Sequence, residues 1–478
     1  MRILRNTYEG PGSHGILRTV AGIKGVHSVL RALPSEGYFQ AAFGAGERDG
    51  EPAAVTISPL METPDGSLSP GDLERDLTRA AMQHPETETV MLVHSETSLL
   101  ANEEAPSPTL PPHPETGQET KLVTCEQATA GIGELEASDL ALEALVRAHA
   151  TPMERSPTPT VNVFGPPLLN PGAAAEYAET IRLLALIGVE VNACVPLGAN
   201  VRDLSQLSQA WANVLLYREV GDSATLYLQD TFGTPRVTTP MIGAAGTGSV
   251  LRTIGGLCEL DANKIQRAIW SELGQTAKLP WFSRLIAPES LRGKRAAIFG
   301  DLTYTLGLGY ALAREVGLEV ACAGTYLEHL EPDFLFHTNS FTDQAFVTGN
   351  PEEAAARLEE ANPDVLIGTR VEREVADTLG IPFLPLCAPA GPKAFVERPL
   401  MGYVGSSVLA DLLEEALNRS REKPKTSSRE IPWTDEAMEG LEEIPAFLRG
   451  RTRRLAEEYA KETYAGEITR DVLERSRL

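Results

Sequence analysis

Arg295-Ala-Ala-Ile-Phe299 is a short apolar run, and Gly300-Asp301 follows it. An amphipathic stretch then runs from Thr305 to Val316, Gly317 closes it, and Val320-Ala-Cys-Ala323 begins a second apolar run. A buried strand, a helix with a glycine stop and another buried strand make a βαβ unit, which predicts a parallel sheet. The same pattern extends outward. Thr89-Val-Met-Leu-Val93, Val161-Asn-Val-Phe164, Val189 to Val195 and Val365-Leu-Ile367 read as strands. Ala173 to Ile187, stopped by Gly188, and Pro351 to Glu360 read as helices among them.

Breaks in this pattern divide the chain into three sheets. Glu104 to Gly117 is rich in Pro, Glu and Thr; Leu145 to Thr160 is a polar, Pro-containing break; Ser283 to Lys294 joins the second sheet to the third. Arg419 to Glu430 is a charged, Ser/Thr-rich linker. The expected fold is α/β: three Rossmann-like domains with parallel sheets, plus a small helical C-terminal domain. The boundaries read as 1–158, 159–290, 291–418, a linker at 419–430, and 431–478. A chain of 478 residues exceeds one core. Such a fold serves glycosyltransferases, periplasmic-type binders and redox subunits alike, so it does not name a reaction.

Net charge is −24, with an estimated pI of 4.8. That disfavours nucleic acid as a partner, because binding it needs clustered Lys and Arg. No apolar run reaches the roughly 18 residues of a membrane span. The N-terminus lacks the apolar region of a secretory signal, so a cytoplasmic protein is expected. The five cysteines, Cys125, Cys194, Cys258, Cys322 and Cys387, are dispersed and form no CxxC pair. A self-contained zinc or iron–sulfur site is therefore not expected.

Two positions follow from pattern alone. Asp301 stands at the carboxyl end of a strand and ahead of a helix, where it either caps the helix or faces a ligand cleft. Gly243-Ala-Ala-Gly-Thr-Gly248 reads as a Gly-rich turn into a helix. No Gly-x-x-x-x-Gly-Lys-Ser/Thr occurs anywhere, so any ATP used is expected on another chain.

The ends of the chain are the most specific. Trp433-Thr-Asp-Glu-Ala437, Ile444-Pro-Ala-Phe-Leu-Arg-Gly-Arg-Thr-Arg-Arg454 and Glu467-Ile-Thr-Arg-Asp-Val-Leu473 stand at one end. Tyr8-Glu-Gly-Pro11, His14-Gly-Ile-Leu-Arg18, Lys24-Gly-Val-His27 and Tyr38-Phe39 stand at the other. Both resemble the B-subunit family of dark-operative (light-independent) protochlorophyllide reductases, which are nitrogenase component 1-like. Phe299-Gly-Asp301-Leu-Thr303, Gly324-Thr-Tyr326 and Gly368-Thr-Arg-Val-Glu-Arg373 resemble its third domain.

The resemblance implies a subunit of an ATP-dependent reductase that reduces the D-ring double bond of protochlorophyllide in (bacterio)chlorophyll synthesis. It implies a [4Fe–4S] cluster shared with an N-type partner that supplies three cysteines. It also implies a separate ATP-dependent iron–sulfur reductase. Glu36, two residues ahead of Tyr38-Phe39, falls where the family places an aspartate ligand to the cluster. Substrate contacts are implied at Trp281, Gly402 and Tyr403. The family's proton-donating aspartate aligns with Ala287 in Trp281-Phe-Ser-Arg-Leu-Ile-Ala-Pro-Glu289, which leaves Glu289 as the nearest substitute acid. A histidine the family places after Ala-Pro is missing from Ala388-Pro-Ala-Gly391, and its Thr-His after the aspartate is Thr303-Tyr304 here. These departures keep an alternative open: a catalytically altered nitrogenase-like subunit, acting as a scaffold or on another tetrapyrrole.

Overall fold

The computed structural model describes residues 7–35, 47–48, 51–52, 55–62, 68–70, 72–83, 86–100, 109–113, 117, 119–125, 131–165, 172–275, 291, 293–389, 399–422, 432–442, 452–453, 455–456, 459–460 and 467–476. The chain divides into two compact units, Met1–Leu417 and Asn418–Leu478.

Among the described residues three sheets of four or five strands build the first unit, with two short two-stranded pairings, Ile23–Lys24 with Ala199–Asn200 and Glu47–Arg48 with Glu51–Pro52. In the third sheet the strand order is Ala345–Val347, Glu319–Thr325, Arg295–Gly300, Val365–Gly368, Phe383–Pro385, all parallel. Ile298 faces Ala323 on one side and Ile367 on the other. Buried on both faces, these strands read as unbroken apolar runs rather than alternating ones. The second sheet runs Glu190–Val195, Thr160–Phe164, Ala212–Leu215, Arg236–Val237, again parallel. The first runs Leu68–Pro70, Val55–Glu62, Val26–Ala32, Thr89–His94, Lys121–Thr124, with only its Leu68–Pro70 edge antiparallel. The second and third sheets share one continuous apolar core, from Val161, Leu183 and Val214 to Ile298, Leu308 and Ile367. Each such side chain, fully buried, contributes about 1.5–3 kcal/mol.

Ala173–Ile187 and Pro351–Glu360 are helices. The helix expected over Thr305 to Val316 begins three residues earlier, at Leu302, because Asp301 accepts the Tyr304 N–H at 2.8 Å. Its last turn, Leu312–Val316, is π-helical, and Gly317 ends it at φ +80°, a conformation that suits glycine. Two expected breaks are shorter than the sequence suggested. The helix Glu134–His149 covers the first residues of the break read from Leu145. The helix Val404–Glu422 covers the first four of the linker read from Arg419. Local charge and Ser/Thr content do not by themselves end a helix.

The helix Gly12–Ala21 lies directly on Glu134–His149. Gly15 makes that approach possible, since a Cβ there would collide with the Glu134 carbonyl oxygen. Ser138 and Thr19 hydroxyls donate to the Gly15 carbonyl at 3.1 and 3.0 Å. Inside the first sheet Arg31 is fully buried and donates to Ser58 Oγ at 3.1 Å, and Ser58 donates to Asp76 at 2.9 Å.

In the C-terminal unit, the helices Asp435–Glu442 and Arg470–Arg475 close over Ala437, Leu441, Ala456, Ala460, Ile468 and Leu473. Trp433 packs on this core and pairs with Ile468 by a parallel bridge. The Arg453 guanidinium lies 5.9 Å from the Trp433 ring centre. Among the described residues no helix is long and apolar enough to cross a membrane.

Candidate functional site

The strand order of the third sheet reverses direction between Arg295–Gly300 and Val365–Gly368. In the second sheet the reversal falls between Thr160–Phe164 and Ala212–Leu215. Ligands of doubly wound sheets bind outside the carboxyl ends of strands at such points. Asp301 and Tyr304 follow the third sheet's first strand, and Tyr217 and Glu219 follow Ala212–Leu215. All four line one cavity of about 220 Å³, together with Glu9, His14, Arg18, Glu134, Tyr326 and Arg370.

Motifs far apart in sequence meet here. Tyr8 stacks on Tyr326 at 5.0 Å and tilts against Phe299 at 5.1 Å. Glu9 accepts the Leu135 N–H at 2.7 Å, and Glu134 pairs with Arg18. Thr303 donates its hydroxyl to Glu219 at 2.6 Å. Asp301 caps Tyr304 and also accepts the Ala388 N–H at 2.6 Å. Thr369 donates both N–H and hydroxyl to Glu372 at 2.7 Å. Both readings of Asp301 therefore hold: it caps the helix and it faces a cleft. His14 lines the cavity, and burial, with the nearby Arg18 charge, lowers its proton affinity. His27 stands instead within the first sheet, 2.9 Å from the Thr56 hydroxyl.

Burial without enough countercharge raises the proton affinity of Glu9, Glu219, Asp301 and Glu372. Glu9 is pushed up to about 7, mainly by burial, and the Leu135 N–H only partly offsets it. Burial also raises Glu219 and Asp301, and the Asp301 charge further disfavours ionisation of Glu219. Next to the cavity, Glu176 accepts the hydroxyls of both Tyr217 and Tyr304, and burial lifts it to about 7. The cluster can keep or release protons near neutrality while its phenols fix the carboxyl orientations. Sequence reading missed Glu134, Glu176, Tyr217 and Glu219. The strand Ala212–Leu215 ahead of Tyr217 was the available signal, and only four residues carry it.

Glu36, Trp281, Ala287 and Glu289 lie outside the described residues. Gly402 and Tyr403 stand where Met241 and Ile242 meet the start of the helix Val404–Glu422; the Gly402 N–H donates to Met241 O at 2.9 Å. Tyr403 is 1 % exposed within the core of the second and third sheets and lines neither this cavity nor the one described below. The Gly243–Gly248 turn does open a helix, but Glu315 occupies its end. Ala244 and Ala245 donate their N–H groups to that carboxylate at 3.1 and 2.8 Å.

All five cysteines are held protonated by burial, with Cys125 and Cys258 pushed up to about 11 and Cys194 and Cys322 to about 12. Among the described residues no three His, Cys, Asp or Glu side chains are grouped to hold a metal ion.

The family model for nitrogenase component 1 type oxidoreductases matches residues 109–418, so the chain belongs to that family. The model for the protochlorophyllide reductase 57 kD subunit matches residues 433–477. The B subunit of the light-independent protochlorophyllide reductase of Chlorokybus atmophyticus is 27% identical, over 99% of this chain and 98% of its own length. The corresponding B subunit of Leptolyngbya boryana is 29% identical with the same coverage. Among solved structures, nitrogenase Cp1 at pH 6.5 superposes with a TM-score of 0.67 at 14% identity, covering 89% of this chain and 96% of that one, which shows a shared fold.

Proposed function

We propose that the chain is the B-type subunit of a light-independent protochlorophyllide reductase, acting in the cytoplasm in (bacterio)chlorophyll synthesis. One observation carries the reading. The relatives of that name align end to end, over 99% of this chain and 98% of theirs, and the tail at 433–477 matches the family's own C-terminal model.

In this reading Glu36 is the one ligand the chain lends to a [4Fe–4S] cluster, and an N-type partner supplies three cysteines. That cluster, when bound, delivers electrons singly. ATP is used by a separate iron–sulfur reductase, consistent with a helix N-terminus already filled by Glu315. Trp281 contributes to the substrate site, while Gly402 and Tyr403, buried where they stand, reach substrate in this reading only if the helix start at Val404 shifts on assembly. The two cavities, about 220 and 280 Å³, fall below the roughly 300–1,000 Å³ that enclose a drug-sized ligand. Neither encloses a tetrapyrrole ring, and this reading places the ring on a surface shared with the partner. Glu289 stands in for the acid missing at Ala287: desolvated beside a flat apolar ring, its carboxyl keeps a proton near neutrality and gives it to the reacting carbon.

The test is anaerobic co-expression with an N-type partner, then turnover of protochlorophyllide with ATP and the iron–sulfur reductase. Appearance of the chlorophyllide absorption band is the expected result. A brown, assembled complex that binds the substrate without reducing it would favour the altered-subunit reading, which the alanine at 287 supports. A colourless monomer would overturn both.

A further inference from the structure

A second cleft of about 280 Å³ opens between elements of the second and third sheets. Thr238 and Thr239, which line it, follow directly on the carboxyl end of the strand Arg236–Val237. Ligands of parallel sheets gather at strand carboxyl ends. Tyr310, Arg314, His337 and Arg218 line the same cleft.

The charge of this lining departs from that of the molecule. The chain has 66 acidic against 42 basic residues, yet among the described residues no carboxylate lines the cleft, while two arginines do. Arg218 is partly neutralised: its Nη1 lies 2.6 Å from Asp333 and its Nε 3.5 Å from Asp222. Asp222 in turn pairs with Arg236. His337 is 3.6 Å from Asp333, and burial, the largest influence on it, lowers its proton affinity, so at neutral pH it offers hydrogen bonds rather than charge. Arg314 is exposed, and its guanidinium lies 5.3 Å from the Tyr310 ring centre.

The π-helical turn Leu312–Val316 gives Arg314 and Glu315 separate tasks. Glu315 is tied to the Ala244 and Ala245 amides and to Ser406. Its neighbour Arg314 lines the cleft. Widened turns of this kind cost helix regularity and recur at functional sites. Ile242, Leu306 and Pro240 supply an apolar flank. Guanidinium groups beside hydroxyls suit the oxygens of a phosphate.

We infer that this cleft binds a phosphate group, either free phosphate or the phosphate end of a small metabolite. It is separate from the switch-point cavity and does not depend on the proposed reductase activity. The test is calorimetric titration of the full chain with inorganic phosphate in one arm and glycerol 3-phosphate in the other. Saturable binding at one site per chain is expected, weakened about tenfold or more by Arg314→Gln, with partial recovery in Arg314→Lys. Arg357→Gln, an exposed charge on the helix Pro351–Glu360, should bind as wild type does. Tighter binding of inorganic phosphate identifies the free ion, and tighter binding of glycerol 3-phosphate identifies a metabolite's phosphate end. Circular dichroism checks that each variant is folded. No saturable binding of either probe, or binding unchanged in a folded Arg314→Gln chain, overturns the inference.

Discussion

Replacing Glu176 with glutamine should reverse its effect on stability between mildly acidic and mildly basic pH. Glu176 is 1 % exposed and accepts hydroxyls from Tyr217 and Tyr304, yet burial outweighs these donors and lifts its carboxyl from the ordinary 4.5 to about 7. In the unfolded chain the group ionises around 4.5. Between the two values the folded chain holds a proton that the unfolded chain has released, so stability falls as pH rises through that window. At about 1.36 kcal/mol per pH unit, the full loss is about 3 kcal/mol by pH 8. Glutamine resembles the protonated carboxyl in shape and does not titrate. Its amide fits the two phenols less well, which costs about 1 kcal/mol at any pH. Glu176→Gln should therefore be about 1 kcal/mol less stable than wild type near pH 4.5 and about 2 kcal/mol more stable at pH 8. Urea unfolding of both proteins at the two pH values, followed by circular dichroism, reads this. The quantity compared is the variant-minus-wild-type difference, because a chain of several domains does not yield one two-state free energy. A variant less stable by the same amount at both pH values would refute the reasoning, since Glu176 would then ionise in the fold as it does in water.

Gly15→Ala places a methyl against the Glu134 carbonyl and should lower stability by about 1–3 kcal/mol, seen as a reduced melting temperature. Glu36→Gln should leave the chain folded and weaken or alter the paramagnetic resonance signal of the complex with its partner; unchanged signal and iron content would remove Glu36 from the cluster. Glu289→Gln should cut protochlorophyllide turnover by about a hundredfold or more if its carboxyl is the acid. Ala287→Asp should raise turnover if the family's donor has simply been lost; full activity in the first variant and none gained in the second would put the proton source elsewhere.

Sequence alone was enough where one physical signal dominated. Continuous apolar runs marked Thr89–His94, Thr160–Phe164, Arg295–Gly300 and Val365–Gly368, because strands buried on both faces admit few polar residues. It was not enough for Val26–Ala32, the central strand of the first sheet. All seven of its residues are buried, but His27, Ser28 and Arg31 interrupt the run, and Thr56, Ser58 and Asp76, which accommodate two of them, come from elsewhere in the chain. The two ends of the chain were legible as family signatures, and Trp433 proves to sit on the core of its own small unit.

Which side chains share a site was decided only by tertiary structure. The strand end ahead of Asp301 pointed to a cleft, but nothing local to Tyr8, Glu134, Glu219 or Arg370 announces that they line it too. Their meeting follows from two sheets that bring their carboxyl ends together and from a glycine that lets two helices touch. The same holds for protonation. Glu9 and Glu176 are ordinary acids in the sequence, and it is removal of water around them, a property of the packed fold, that lifts both to about 7.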